Sequence, residues 1–355
     1  MRFVAFAQAG TLLSSVCLAL VSMQSLISGT FVLEACARAE AFKERAAIGI
    51  SSGATKSTNS IEILERTFEM SELCRIFMGP WMGKFFTLTT AGDLYGITWT
   101  LAAVFGSSLA HDFPIGTSND YRTYIFIFLV IVVPISCLSI SGQVRLQMFF
   151  LGGRTIMLGL MIATTAVACG STEPHFGEQA KPARDVPLAD FSSIILVLQT
   201  CVFSTAFQFA VPSLTAETKD KPAMVPVMKV SVGYIYATNL IISLLMAIYF
   251  GSDTEENSNL NWLNYHGGTW DGSGDLTRSW WATGVSTYIV IFAALDGLAV
   301  YPLIAISLGD IIMGAYYEDA VHEARKSWKR QVIFRLMASI PQAVGALFVQ
   351  DLGAL

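Results

Sequence analysis

The sequence is poor in charged residues. Asp, Glu, Lys and Arg make up 14% of its 355 residues, whereas globular proteins carry about 25%. The 22 basic residues are outnumbered by 27 acidic ones, and the formal net charge is −5. A chain without a basic excess cannot neutralise many phosphates, so this composition excludes nucleic acid as a partner. The scarcity of charge also argues against a water-soluble protein of this length.

Short motifs of common enzymes and metal sites are also missing. The sequence contains no Walker A loop, no dinucleotide-binding glycine motif, no His-Glu-x-x-His and no Gly-x-Ser-x-Gly. Its six cysteines form no Cys-x-x-Cys pair, and its four histidines are scattered. We therefore expect no metal site, no cofactor other than a transported or coupled ion, and no enzymatic activity.

Apolar residues, by contrast, make up 53% of the chain and are gathered in long runs. A helix that crosses about 30 Å of bilayer hydrocarbon needs roughly 20 of them. The runs do not alternate with polar residues, as lipid-facing strands would. They predict an all-α integral membrane protein, a single domain over residues 1–355, with about eight transmembrane helices. The predicted segments are Thr11–Ala37, Phe85–Ala110, Tyr124–Ser141, Thr155–Ser171, Phe191–Ala216, Val230–Gly251, Ser279–Gly309 and Gln331–Val349.

The basic residues indicate how these segments are oriented. Sixteen Lys and Arg fall in the connections on one side and five in those on the other. The positive-inside rule therefore assigns the first group of connections to the cytoplasm. These predicted cytoplasmic loops are residues 38–84, 142–154, 217–229 and 310–330.

Two of the loops have a distinctive composition. The cytoplasmic loop 38–84 combines a flexible linker of small polar residues over 46–60 with an amphipathic helix over 61–77. The loop 252–278 on the opposite, extracytoplasmic side is acidic. Residues 1–28 begin like a signal peptide, but the apolar run continues to Leu33 without a clear cleavage site. We therefore expect a first helix that runs from the outer side to the cytoplasm.

Two acidic residues, Asp93 and Asp296, lie within predicted spans. An ionised carboxylate at the bilayer centre costs several kcal/mol, so each must face a partner or water, or be protonated. Both are candidates for binding a coupling ion, either H⁺ or Na⁺. The alternative is a structural hydrogen bond to a neighbouring helix.

The fifth segment is unusually polar for a span and contains a proline. Its polar residues are Gln199, Thr200, Ser204, Thr205 and Gln208. Pro212 lacks a backbone donor and predicts a break in the helix. An interrupted membrane helix exposes backbone groups that can line a substrate cavity. The alternative is a simple kink, with hydroxyls that bond back to their own helix.

Several short stretches together resemble the amino acid/auxin permease-type transporters, and most closely their transmembrane-protein-104-like branch. The similarity covers nearly the whole chain as scattered matches. These matches are Ala5–Gly10, Phe31–Ala35, Phe68–Met70, Gly92–Leu94, Pro187–Ser192, Pro212–Leu214 and Pro302–Ala305.

The resemblance implies the inverted five-plus-five-helix transporter fold. The eight segments would be its helices two to nine, and we expect a partial chain with the first helix mostly upstream and helices ten and eleven downstream. Substrate would lie between the broken first and sixth helices. The sixth-helix residues at that site would be Phe203, Ser204, Thr205, Phe207 and Gln208.

The predicted function is therefore secondary transport of amino acids or related small solutes by alternating access. Coupling to H⁺ or Na⁺ would use Asp296, with Asp93 as a second candidate. One alternative is a membrane sensor or scaffold that keeps the fold without moving a solute. A remote alternative is an intramembrane aspartyl protease, because Ser307–Asp310 is one residue from the Gly-x-Gly-Asp pattern of that class.

Overall fold

The computed structural model is almost entirely helical. It describes residues 2–50, 70–116, 119–138, 140–176, 186–218, 223–251, 254–255, 258–268, 278–317 and 321–348. In these ranges no residue forms a β-strand, and one isolated antiparallel bridge joins Phe176 to Tyr265. Within the same ranges there are twelve α-helices. They are α1 (Arg2–Ala9), α2 (Thr11–Ile50), α3 (Met70–Met78), α4 (Pro80–Asp112), α5 (Asp120–Ser136), α6 (Ile140–Gly170), α7 (Ile194–Thr205), α8 (Val211–Glu217), α9 (Met224–Phe250), α10 (Trp280–Tyr317), α11 (Val321–Arg325) and α12 (Trp328–Ala346).

The all-α membrane architecture is confirmed. Among the described residues, four helical stretches are long and apolar enough to cross a membrane by themselves: Thr11–Phe42, Gly142–Gly170, Met224–Phe250 and Trp280–Tyr317. The predicted fifth segment forms the shorter apolar helix Phe191–Thr205 and its continuation in α8. The three other predicted segments form α4, α5 and α12, which are shorter or more polar helices of the same bundle.

One predicted loop is in fact helical. Residues 142–154 form the first half of α6, and Arg145 and Arg154 therefore lie on a helix instead of in a cytoplasmic connection. The prediction was wrong because these two charges and three glycines interrupt the apolar run, although backbone hydrogen bonds continue through them. The predicted loop 310–330 is also partly helical, since α10 continues to Tyr317. The predicted flexible linker over 46–60 is wrong at its start, since residues 46–50 form the end of α2, and residues 51–60 lie outside the described residues. Residues 61–69 of the predicted amphipathic helix also lie outside them, and α3 covers its end.

A tight turn at Gly10 separates α1 from α2. Gly10 has a φ of 92°, and a Cβ there would lie 2.5 Å from the carbonyl oxygen of Pro187. A side chain is therefore excluded both by the left-handed backbone and by the close approach. The N–H of Thr11 donates to Pro187 O, and the N–H of Asp190 donates to Ala9 O. These bonds attach the segment before α7 to the turn.

The centre of the bundle is α10, which packs on α4, α5, α6 and α12. Two thirds of its most apolar stretch is buried. Tyr301 is fully buried, and the ring of Phe128 from α5 meets it edge-on at 5.2 Å. Because α10 lies between the other helices, most side chains in its central part contact a neighbouring helix. Asp296 lies in this central part of α10.

Candidate functional site

The predicted interruption of the fifth segment is present. The helix α7 ends at Thr205, and Ala206 and Phe207 leave the helical conformation. A short 3-10 turn over Gln208–Ala210 then leads into α8. Pro212 lies in the first turn of α8, where a missing N–H costs nothing. The break therefore precedes Pro212, and the proline starts the second half-helix.

A serine on α2 and a glutamine beyond the break satisfy the backbone groups that the interruption frees. The Ser25 hydroxyl donates to the carbonyl oxygen of Thr205 at 2.5 Å. The Gln208 side chain donates to the Ser25 hydroxyl at 2.6 Å and accepts from the Phe207 N–H at 3.0 Å. The two half-helices are thus joined to α2 through one serine, which is 4% exposed.

The hydroxyls of α7 bond back to their own helix. Ser204 and Thr205 both donate to Cys201 O, at 2.8 and 3.0 Å, and Thr200 donates to Leu196 O at 2.6 Å. The alternative was a simple kink with hydroxyls that bond back to their own helix. Its second part agrees with these bonds, but the helix is interrupted and not merely kinked. Such bonds are lost easily, since the carbonyl keeps its helical partner.

The five predicted substrate residues do not share one surface. Phe203 is exposed at 52% on the outside of α7, and Thr205 is buried. Phe207 packs with the apolar cluster between α2 and α9, where a Cβ on Gly29 would lie 3.1 Å from its ring. Gln208 faces Ser25. Ser204 alone among the five lines the small cavity beside α7.

This cavity lies between α1, α2, α7 and α9. Its walls are mostly apolar, from side chains such as Phe6 and Leu18, with Thr200, Ser204, Asn239 and Ser243 as polar groups. Its volume is about 10 Å³, which is space for about one water molecule. An amino acid therefore does not fit into this cavity in this conformation.

Asp296 has a direct partner in Arg154. The Nε and Nη2 atoms of Arg154 on α6 lie 2.9 and 2.7 Å from Oδ1 of Asp296, and Nε is 3.1 Å from Oδ2. The arginine side chain is 37% exposed and the aspartate 24%. The pair thus neutralises two charges that would each be costly in the bilayer.

Two further polar contacts flank this pair along the contact between α6 and α10. The Gln147 amide donates to Ala299 O at 2.8 Å, and the Tyr288 hydroxyl donates to Gly153 O at 3.0 Å. Pro302 lies inside α10, and the ring of a proline opens the preceding turn. Gln147 therefore bonds a carbonyl of the turn that Pro302 disturbs.

Asp93 lies on an exposed face of α4. A Cβ on either of its neighbours Gly92 and Gly96 would meet no atom within 4 Å. In the part of the chain that the structure describes, this face of α4 thus contacts no other helix. Asp93 is in a different environment from Asp296.

Asp296 forms no catalytic dyad with Asp93 or with Asp310. A Cβ on Gly297, next to Asp296, would lie 3.7 Å from Leu101 O. Leu101 follows Asp93 by eight residues, which is about 12 Å along α4. Asp310 follows Asp296 on α10 by about 21 Å. Asp296 is therefore too far from either carboxyl to share a proton with it.

The residues that sequence reasoning missed are the partners from other helices. Ser25 and Asn239 lie in apolar runs, where a single serine or asparagine is unremarkable, and Arg154 was assigned to a loop. A signal existed for Arg154, because apolar residues and glycines continue on both sides of it. A paired Arg and Asp within apolar runs suggests an intramembrane ion pair.

Comparison with known proteins decides the family. The sequence model described as "Transmembrane amino acid transporter protein" matches residues 4–355. The chain belongs to this transmembrane amino acid transporter family. Transmembrane protein 104 from Pongo abelii is 26% identical over 61% of this chain and 53% of the relative. The Homo sapiens protein of the same name is 25% identical with the same coverage.

Membership in the transmembrane amino acid transporter family confirms the resemblance on which the sequence analysis relied. It also supports the expectation that the protein is not an enzyme, since the family is one of transporters. The chain spans about half the length of the curated relatives that it matches.

Proposed function

We propose that this protein takes part in the transport of amino acids or related small solutes across a membrane by alternating access. The observation that carries the proposal is the interrupted helix at Ala206–Phe207, in a chain that belongs to an amino acid transporter family. Interrupted helices present backbone groups within the bilayer, and these groups can bind the charged ends of an amino acid.

The proposed solute contacts are the side chains at the ends of the two half-helices. Ser204, Thr205 and Gln208 would bind polar groups of the solute, and Phe203 and Phe207 would contact its apolar part. In the present conformation the three polar side chains bond to helix carbonyls or to Ser25. The cavity at α7 has space for about one water molecule, so a solute does not fit beside these side chains as they stand. A solute that binds them would have to replace these hydrogen bonds. We therefore infer that solute entry requires α7 or α8 to move relative to α2.

We assign H⁺ rather than Na⁺ as the coupling ion at Asp296. Either cation would have to displace the Arg154 guanidinium, which binds both carboxylate oxygens. A sodium ion would also need several oxygen ligands at this place, whereas a proton needs one carboxylate oxygen. Displacement of Arg154 would let α6 and α10 separate. Asp93 remains the second candidate for the coupling ion.

A transport assay tests the proposal. The purified chain is reconstituted into liposomes, and uptake of a mixture of radiolabelled amino acids is measured under a pH gradient and, separately, under a sodium gradient. We expect saturable uptake that the pH gradient increases and that Asp296→Asn makes independent of the gradient. Empty liposomes and Arg145→Gln, which changes an exposed arginine on the same helix as Arg154, are the controls.

Two results would contradict the proposal. Saturable binding of an amino acid without uptake would identify a sensor instead of a transporter. Absence of both binding and uptake from a chain that remains folded would favour a scaffold. Uptake driven by sodium alone would retain the transport function but overturn the assignment of H⁺ to Asp296.

A further inference from the structure

A compact layer of residues covers the ends of three long helices. This layer, here named the cap, consists of residues 171–176 after α6 and residues 258–268 between α9 and α10. The N–H of His266 donates to His175 O at 2.7 Å, next to the bridge between Phe176 and Tyr265. The two segments of the cap are therefore joined through their backbones, next to His175 and His266.

An aromatic cluster attaches the cap to the helices beneath it. The Phe176 ring lies 5.2 Å from Tyr249 and 4.9 Å from Phe250 at the end of α9, and 5.6 Å from Trp262. Trp262 is fully buried, and its indole N–H donates to the Thr164 hydroxyl of α6 at 3.0 Å. These contacts attach the cap to α6 and α9 through buried aromatic rings.

Both histidines of the cap are buried. His175 and His266 are each 7% exposed. Among the described residues, no hydrogen-bond partner reaches the His175 Nδ1 atom. Burial lowers the pKa of both imidazoles, because desolvation disfavours the charged form.

The charged neighbours act in opposite directions on the two histidines. Glu173 raises the pKa of His175 against the effect of burial, whereas the Arg278 guanidinium lowers the pKa of His266 further. From the helices, the Tyr249 hydroxyl of α9 lies against the backbone of His175. Cys169 of α6 is the other titratable group of the helices near this hydroxyl.

We propose that the cap is an acid-sensitive closure, held by neutral His175 and His266 and released when they take up protons. A histidine whose pKa is lower in the folded cap than in the open cap stabilises the folded form fully above its unfolded pKa of about 6.5. That contribution is lost as the pH falls from this value toward the folded pKa. Since the cap joins the ends of α6, α9 and α10, its release frees this end of the bundle.

Hydrogen–deuterium exchange on the full chain in lipid nanodiscs tests the closure and does not depend on transport. Protection of residues 258–268 is compared at about pH 7.5 and about pH 5, after correction for intrinsic exchange. We expect protection to fall about tenfold at the lower pH, because the imidazoles are protonated more readily in the open cap than in the folded cap. The double variant His175→Gln/His266→Gln should lose most of this dependence.

Two single variants separate titration from a merely structural role, because they act with opposite signs. Glu173→Gln removes the charge that supports protonation of His175, so the loss of protection between the two pH values should increase. Arg278→Gln removes the cation beside His266, so the loss should decrease. Glu173 is exposed, so we expect Glu173→Gln to fold. This variant therefore tests the proposal even if the double histidine variant does not fold.

His322→Gln, in α11 beyond the opposite end of α10, is the matched control and should leave the exchange of the cap unchanged. Equal protection of the wild-type cap at both pH values would overturn the proposal. A pH dependence that Glu173→Gln and Arg278→Gln shift in the same direction would also overturn it.

Discussion

At the scale of single residues, the Arg154–Asp296 pair shows how a membrane helix bundle tolerates charge. Two hydrogen bonds to one carboxylate oxygen and a third to the other hold the pair between α6 and α10. Removal of one partner leaves the other charged in a poorly hydrated place, and this usually costs more than the pair itself contributes. The pair is therefore more sensitive to single substitutions than to a matched double substitution.

We expect Arg154→Gln and Asp296→Asn each to destabilise the folded protein by about 1–3 kcal/mol, since both side chains are only partly buried. The double variant Arg154→Gln/Asp296→Asn should lose less stability than the sum of the two single variants. Thermal unfolding of the purified proteins in nanodiscs measures these differences. Arg145→Gln is the control and should change stability little. Strictly additive losses would show that the two side chains do not interact.

At the scale of helices, the bundle repeatedly satisfies backbone carbonyls that a break or a proline has freed. Pro341 in α12 has no N–H, so the carbonyl of Met337 four residues earlier loses its helical donor. The hydroxyl of Tyr95 on α4 donates to this oxygen at 3.0 Å. Ser25 has the same role at Thr205 O. In a bilayer no water can replace such donors, and side chains of neighbouring helices must supply them.

This relation predicts that the contribution of the Tyr95 hydroxyl to the stability of the fold depends on Pro341. Tyr95→Phe should destabilise the wild-type protein by about 1 kcal/mol, because it leaves Met337 O without this donor. In a Pro341→Ala background the alanine N–H can bond the same oxygen, and Tyr95→Phe should then cost close to nothing. Unfolding experiments on the four proteins of this cycle measure the coupling.

The matched control for this cycle is Tyr124→Phe, because the Tyr124 hydroxyl bonds Phe113 O, which no proline has freed. Its cost should be the same with and without Pro341. Equal costs for Tyr95→Phe in both backgrounds would show that Pro341 does not create the need for the tyrosine.

At the scale of the whole molecule, the order of the helices predicts the direction of the chain through the membrane. We expect three crossings between the end of α6 and α11: the interrupted α7–α8, then α9, then α10. An odd number of crossings would place the end of α6 and the start of α12 on opposite sides. The excess of basic residues predicts that the α11–α12 side is cytoplasmic.

Cysteine labelling measures this prediction. Thr172→Cys and Lys326→Cys, both at exposed positions, are introduced separately into a chain in which the six native cysteines are replaced by serine. A membrane-impermeant maleimide should label Lys326→Cys from the cytoplasmic side and Thr172→Cys from the opposite side. Labelling of both positions from one side would require an even number of crossings between them.

Sequence patterns alone were sufficient for the helical membrane architecture and for the unusual regions within it. The requirement for about 20 apolar residues per crossing is local, so the runs can be read directly from the chain. The same is true of the break in the fifth segment, since Pro212 and the surrounding polar residues are anomalous in any membrane helix. Asp296 was recognised for the same reason.

The tertiary structure alone decided what these anomalies contact. Arg154 and Asp296 are 142 positions apart in the sequence, and Ser25 and Thr205 are 180 apart. No local pattern connects such residues, because hydrogen bonds between helices depend on how the helices pack. The exact place of the break followed likewise from the partners: Ser25 and Gln208 satisfy the backbone at Thr205–Phe207, and the chain leaves the helix there instead of at Pro212.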